Sequence, residues 1–579
     1  MQSQSPNVPR STGMLFPVFS MRRKGDLGIG DTTSVRQCID WLKIYKVGFL
    51  QLLPINVSSS DNSPYSAISS VALDFIYLDL AHLRELSQDD LDTVRAEYAG
   101  DWLESDKVDY SIVRKVKSKL LRLAYERYQQ KAQDSAEFKV FMKDEAEWLV
   151  PYCKYRWLME EAGGDEDWTN WPVAFNTGPK ALSYEREKRA LTGGPRAVQE
   201  YYAWVQWHAF SQWEAVRNYA DSAGMKLMGD IPIGVSNASA DVFFEPQWFQ
   251  KDWYGGSPPE RMFKDDAFAC KWGQNWGVPL FDWDALQEND FTWWKRRIAK
   301  ITDIFHIFRI DHVLGFYRIY AFPWHPKRNA EFLELSPTEA KKLTSGELPH
   351  FYPRADDSMN HKAQNLMDGD VRLKAILEAA EGYEVVGEDL GCVPDYVRPH
   401  LMELGIAGFK VCHWESNTFG DAQKPEEHPD CAFATYTTHD HPPLHSMWEE
   451  LRFNIASGCE SAADGLKMIS QYADMPVLPA AEYPEYSSEI KWSLIEALMK
   501  SGARYAALMI TDILDSRARI NTPGTVSDHN WTCRVDWEFE SVPSEVSNEM
   551  RKLAVCSENH NRVVKTAVNE STTPTSFVK

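Results

Sequence analysis

The sequence predicts an α/β protein: a (β/α)8 TIM barrel with large subdomains, one of them mainly helical, inserted at the C-terminal face of its strands. Three observations predict it. Short apolar runs of strand character recur eight times, mostly separated by stretches of helical periodicity, which is the pattern of a parallel sheet wrapped by helices. Long excursions follow several of those strands. Three acidic residues, Asp311, Glu388 and Asp440, each fall at the end of a different strand, the rim where barrel chemistry collects.

Composition narrows the class of partner. The chain has 579 residues, 62 basic and 84 acidic, for a net charge of −22. Nucleic acid and anionic membrane both need a basic surface, so neither is expected as a partner. Hydrophobic residues make up 44% and charged residues 25%, ordinary for a soluble globular protein. No stretch approaches the roughly 18 apolar residues of a membrane span, and Met1 to Gly13 lacks the apolar core of a secretory signal. The nine cysteines are odd in number and lack C-x-x-C spacing. Reduced thiols in a cytoplasmic protein follow from that.

The elements can be taken in order. Met14 to Ser20 reads as a first buried strand. The loop Gly25 to Asp31 follows, with a G-x-x-G-x-G order that is not a dinucleotide fingerprint. A helix is predicted over Thr32 to Tyr45, from Val35, Cys38, Ile39 and Leu42 at helical spacing. Gly48 to Pro54 is the second strand, and the turn-rich Asp61 to Ser66 leaves its end. Residues 56–222 then form a mainly helical insertion, in which Ile112, Val116, Leu120 and Leu123 mark an apolar face. Its last helix, Arg196 to Ala223, leads into the third strand, Lys226 to Ile233.

Residues 234–290 read as a second, loop-rich insertion holding Gly256 to Glu260 and Gly273 to Gly277. A helix from Phe291 to Lys300 precedes the fourth strand, which ends at Arg309 and Asp311. Tyr320 to Asp368 mixes Pro, Gly and charge and reads as a long loop. Four further strands follow: Glu384 to Glu388, Ile406 to Val411, Ala432 to Thr437 and Tyr505 to Thr511. The barrel domain is predicted over residues 1–555, and the polar tail 558–579 is predicted to be disordered.

The chemistry centres on Phe308-Arg309-Ile310-Asp311-His312. Side chains alternate along a strand, so Arg309 and Asp311 share one side. A fixed positive charge beside a carboxylate favours its ionised form, and such a carboxylate at a strand end can act as a nucleophile. On its own this pair would serve equally well as a structural ion pair. Three carboxylates converging over one barrel mouth are what retaining glycosyl chemistry requires. One attacks the anomeric carbon, and one protonates the leaving oxygen. The third holds sugar hydroxyls in the distorted transition state. The apolar strand before Glu388 would raise the pKa of that residue, as an acid/base requires.

These residues carry a resemblance. Leu27 to Asp31, Ser63-Pro64-Tyr65, Gly229 to Ile233, Phe308 to His312, Gly387 to Gly391, Thr438-His439-Asp440 and Arg519 to Thr525 together resemble, in number and order, the motifs of the 4-α-glucanotransferases (amylomaltases, or disproportionating enzymes) of glycoside hydrolase family 77, in the α-amylase clan. The resemblance implies transfer of α-1,4-glucan segments between maltooligosaccharides, with glucose also an acceptor. It implies Asp311 as nucleophile, Glu388 as acid/base and Asp440 as transition-state stabiliser. Arg309, His312 and His439 would orient the donor sugar, with Asp230 at the same pocket in a role that is partly structural. Ser63, Tyr65, Gln274 and Trp276 match positions around the acceptor and neighbouring sugars.

Two places depart from the family pattern: His441-Pro442-Pro443-Leu444-His445 after Asp440, and the loop Gly256 to Glu260. Neither cofactor nor metal is implied. The cluster His439, Asp440, His441 and His445 could suggest a metal, but Pro442 and Pro443 prevent a helix that would align His441 with His445. Tyr65, Trp276 and Tyr254 are the aromatic candidates for sugar stacking, because they are expected in loops. A hydrolase of the same clan and an inactive glucan-binding scaffold are the alternatives. The intact Asp311, Glu388 and Asp440 set weighs against the scaffold.

Overall fold

The computed structural model describes residues 8–563 apart from 99, 132–134, 193, 261–265 and 526. Among the described residues the strands run, in chain order, β1 (Ser11–Leu15), β2 (Phe49–Gln51), β3 (Lys226–Ile231), β4 (Phe249–Ser257), β5 (Gln274–Phe281), β6 (Ile307–Ile310), β7 (Ile319–Phe322), β8 (His350–Tyr352), β9 (Glu384–Gly387), β10 (Ala407–Val411), β11 (Ala432–Thr435) and β12 (Tyr505–Met509). Eight close into a barrel in the order β1-β2-β3-β6-β9-β10-β11-β12, with β12 pairing back onto β1. These are the eight strands expected from the sequence. The first starts and ends earlier than expected, because Pro17 cannot extend the ladder and the chain turns at Val18–Ser20.

Alternation along the strands decides what reaches the lumen. On β6, Ile307 joins Phe49, Met228, Phe409, Phe433 and Tyr505 in the packed barrel interior, while Phe308 and Ile310 pack outward under the helices. Arg309, two residues after Ile307, therefore enters the lumen, and its guanidinium lies over the Phe409 ring. On β3 the same rule turns Asp230 inward, two residues after Met228. Gly229 between them faces Phe305, whose ring would stand 2.5 Å from any added Cβ. A glycine there lets helix and strand approach.

Among the described residues, five α-helices lie between β2 and the long helix Gly194–Ala223, which packs on both β3 and the Thr32–Ile44 helix. In Tyr110–Gln130 the Asp109 side chain accepts from the Ile112 N–H and caps the start. That helix buries Val113, Val116, Leu120, Leu121 and Ala124. Ile112 and Leu123 are only half-buried. The apolar stripe is thus turned about one residue from the expected face, because the helix packs against Gly194–Ala223.

Two expectations of long loops are corrected. Within 234–290, β4 and β5 pair antiparallel, and β7 and β8 from the following excursion complete a four-stranded sheet in the order β5-β4-β7-β8. The register of β4 against β5 shifts near Gly255 and Gly256, and Pro279 sits within β5. Such bulges break the alternation by which a strand is recognised. The tail is ordered beyond 558: helix Ser544–Asn559 buries Val546, Met550 and Leu553. The fully buried Arg562 donates to the backbone carbonyls of Met499 and Ser11. Residues 564–579 lie outside the described residues. No helix among the described residues is long and apolar enough to cross a membrane.

Candidate active site

The loops leaving the strand ends wall a groove of about 1150 Å³. Asp311 follows β6 directly, Glu388 follows β9 directly, and Asp440 lies shortly after β11, so three separate strands deliver three carboxylates to one floor. Arg309, His312 and His439 line the same groove. Ser63, Tyr65, Gln274 and Trp276 line its walls. Asp230 does not reach the groove. It is buried beneath Arg309 and Tyr65, which places it as a support.

Arg309 is the electrostatic hub. Its Nη1 donates to both carboxylate oxygens of Asp230, at 2.9 and 2.7 Å. Its Nη2 stands 2.9 Å from Asp311 Oδ1 and 4.0 Å from Glu388 Oε2. Those two oxygens face one nitrogen and so are at most about 6.9 Å apart, the two distances taken end to end. That bound accommodates the roughly 5–5.5 Å separation of retaining carboxyl pairs. Burial alone would lower the pKa of Arg309, but Asp230 and Asp311 more than offset it, and the guanidinium stays charged.

Glu388 is held differently. Its Oε2 accepts from the His312 backbone N–H at 2.8 Å and its Oε1 from the Leu390 N–H at 3.0 Å. His312 adopts a left-handed conformation, φ 47° and ψ 55°, and this turns the backbone N–H away from β6 toward Glu388. Strained backbone of this kind collects at functional sites. Burial pushes the Glu388 carboxyl up to about 8; Arg309 opposes the shift and Asp311 adds to it. Glu388 therefore keeps its proton at neutral pH.

Asp440 is kept ionised. Burial works against this, but His439, with Nε2 at 3.4 Å, and the Asn521 amide, donating at 2.6 Å, hold its carboxyl below the ordinary value. Arg519 braces the turn by donating to the Asp440 and Asn521 carbonyls, each at 2.7 Å. The Tyr65 ring stacks on the His439 ring at 5.1 Å, and Trp531 covers both. The Tyr65 hydroxyl donates to Asp230 at 2.8 Å. On the far wall, Trp276 meets the His312 ring edge-on at 4.9 Å, while its indole N–H donates to Gln274.

Some expectations change. Trp276 and Tyr254 lie on strands β5 and β4, not in loops. Tyr254 packs on His325, and Trp276 remains at the groove. The histidines after Asp440 diverge: His441 accepts from Thr438, whereas His445 pairs with Asp515 and Arg517. Leu27 to Asp31 serves the scaffold. Asp31 caps the Thr32–Ile44 helix and pairs with Arg23, and Asp26 pairs with Arg534. Sequence reasoning missed Trp414, about half exposed in the groove, and Asn521 as the partner of Asp440. Asn521 sat inside a motif already noted, and that was the signal available.

A family model described as 4-alpha-glucanotransferase matches residues 16–539. The 4-alpha-glucanotransferase of Thermus thermophilus is 29% identical over 571 residues, spanning 95% of this chain and 99% of that protein. The enzyme of the same name from Chlamydia caviae is 27% identical over 544 residues, spanning 92% and 91%. The amylomaltase of Streptococcus agalactiae, solved in complex with acarbose, matches with a TM-score of 0.75 at 22% identity, covering 96% of this chain and all of that one. A likeness at that identity carries the fold.

Proposed function

From the premise that the chain belongs to the 4-α-glucanotransferase family, we propose that it transfers α-1,4-glucan segments from a maltooligosaccharide donor to the 4-hydroxyl of an acceptor glucan or glucose, with retention, through a covalent glucosyl–Asp311 intermediate. The observation that carries this reading is the unequal pair around Arg309: Asp311 in direct ionic contact, and Glu388 buried with its carboxyl pushed up to about 8. An ion-paired carboxyl to attack and a buried, proton-holding carboxyl to donate are what the first step needs.

In that step Asp311 attacks the anomeric carbon while Glu388 gives its proton to the departing oxygen. The charge of Asp311 is then consumed in the ester. Asp311 was one of the influences raising Glu388, so esterification lowers the Glu388 pKa just when a base is needed. In the second step Glu388 removes the proton of the acceptor hydroxyl, which attacks the same carbon from the face the leaving group vacated. Asp440, ionised and hydrogen-bonded to Asn521, holds sugar hydroxyls as positive charge builds on the ring.

Arg309, His312 and His439 orient the donor sugar, while Ser63, Tyr65, Gln274 and Trp276 shape the surrounding sites. The test is incubation of the pure protein with maltotriose. Transfer yields glucose together with a ladder of longer chains. Shorter products alone would instead make water the main acceptor, and no products would leave only a glucan-binding protein.

A further inference from the structure

The loop after β10 has features that the reaction described above does not use. Residues 414–422 form a small hairpin, bridged between Ser416 and Ala422 and closed by Asn417 N–H to the Asp421 carbonyl at 2.8 Å. The Asn417 side chain accepts from the Phe419 and Asp421 backbone N–H groups at 2.9 and 3.2 Å, which fixes the tip. Glu415 ties the base to Lys410 and Arg398, and Asp421 ties the tip to Gln471 and Lys467. This pinned tip holds Phe419 89% exposed. At the other end of the same hairpin, Trp414 faces the groove, 48% exposed, with His413 and His441 edge-on to its ring.

A single exposed phenylalanine needs no explanation by itself. Here two exposed aromatics share one hydrogen-bonded hairpin, and the inner one already lines the groove. Aromatic faces pack on the apolar C–H faces of sugars. A ring held in place beforehand loses little freedom when it binds. We infer that this hairpin is an outer glucan platform: an α-1,4-glucan chain leaving the groove over Trp414 runs on to Phe419, so that the enzyme favours long chains over short ones. The inference rests on the transfer reading for its kinetic test, and a binding test stands apart from that reading.

The experiment is Phe419→Ala, with Phe419→Tyr as the conservative control. KM and kcat are measured with maltotriose and with soluble amylose. The platform predicts a KM for amylose about fivefold higher in Phe419→Ala, the size expected for losing burial of one ring face. It also predicts maltotriose constants within about twofold of the parent, since Phe419 lies outside the groove lining that a short chain contacts, and Phe419→Tyr should behave as the parent. Native-gel retardation by amylose, against a dextran gel as control, should weaken in Phe419→Ala and stay unchanged in Phe419→Tyr.

Equal constants at both chain lengths in all three proteins would overturn the platform, as would a KM that rises equally for maltotriose. A parent retarded no more by amylose than by dextran would also overturn it. So would a parent that runs as a dimer in gel filtration and dissociates in Phe419→Ala, because Phe419 would then face a second copy. If the parent shows no transfer, the transfer reading fails, and the gel measurement alone decides the platform.

Discussion

Glu388 should reveal itself through an unusually alkaline loss of activity. Burial pushes its carboxyl up to about 8, with Asp311 adding and Arg309 opposing. The first step needs the protonated form, so activity is present below that value and lost as pH rises through it. About nine tenths of Glu388 carries the proton at pH 7 and about one tenth at pH 9. Initial rates of glucose release from maltotriose, measured from pH 5 to 10, should give a kcat/KM that falls tenfold per unit above about 8. The control is α-maltosyl fluoride, whose leaving group departs without a proton. Its kcat/KM should not share the fall above about 8. Any other titration, including that of Asp230, which burial pushes up to about 7, affects both donors and cancels in their ratio. His312 and His441, lowered by burial to about 4, do not titrate there. Glu388→Gln should lower the maltotriose value by about 10² to 10⁴ and leave the fluoride value nearly untouched. A maltotriose profile that falls already near pH 5, or two donors that fall in parallel, would refute the assignment of the proton to Glu388.

Four shorter predictions follow from the same geometry. Asp311→Asn should abolish transfer while circular dichroism and the melting temperature show an intact fold, because the side chain is nearly isosteric and only its charge is used. Asp230→Ala should cost about 3–5 kcal/mol in urea unfolding, since it leaves Arg309 buried without its main partner, whereas Asp230→Asn should cost less. Asn521→Ala removes a charge-assisted hydrogen bond to Asp440, worth about 1.5–3 kcal/mol, and should lower kcat about ten- to a hundredfold with a smaller change in KM. Tyr65→Ala, followed by glucose and reducing ends released from maltotriose, should depress transfer more than hydrolysis. Tyr65→Phe isolates the bond to Asp230, and a proportional loss of both activities in Tyr65→Ala would assign Tyr65 to packing.

The barrel was legible in the sequence because its strands are short, apolar and followed by helices. Alternation alone correctly put Arg309 and Asp311 on one side of β6. The four-stranded sheet was not legible, because the bulge at Gly255–Gly256 and the proline in β5 erase the period of two. The depth of Asp230 was hidden for another reason. Strand alternation turns it inward, but whether it reaches the groove depends on Arg309 and Tyr65 closing over it. Asn521 and Trp414 matter only because loops from different strands fold over one mouth, and no local pattern encodes that.

On the mechanism proposed above, Arg309 also bears on why a covalent intermediate would wait for a sugar. Before reaction its guanidinium is shared among Asp230, Asp311 and, at 4.0 Å, Glu388. Once Asp311 is esterified, the attraction on Nη2 passes to Glu388 as its remaining carboxylate neighbour there, so the base formed is an anion stabilised by a charge already in place. A stabilised anion is a weaker base, and it activates best a nucleophile that is already aligned. A glucan hydroxyl held between the groove walls gains several kcal/mol from that alignment. A diffusing water molecule gains none. By this argument the preference for sugar over water is built partly into Arg309, and not only into walls such as Tyr65 and Trp276 that would exclude water. Weakening the Nη2 contact with Arg309→Lys should then raise hydrolysis relative to transfer even with both aromatic walls intact. An unchanged ratio of free reducing ends to free glucose would return the control of partition to the walls.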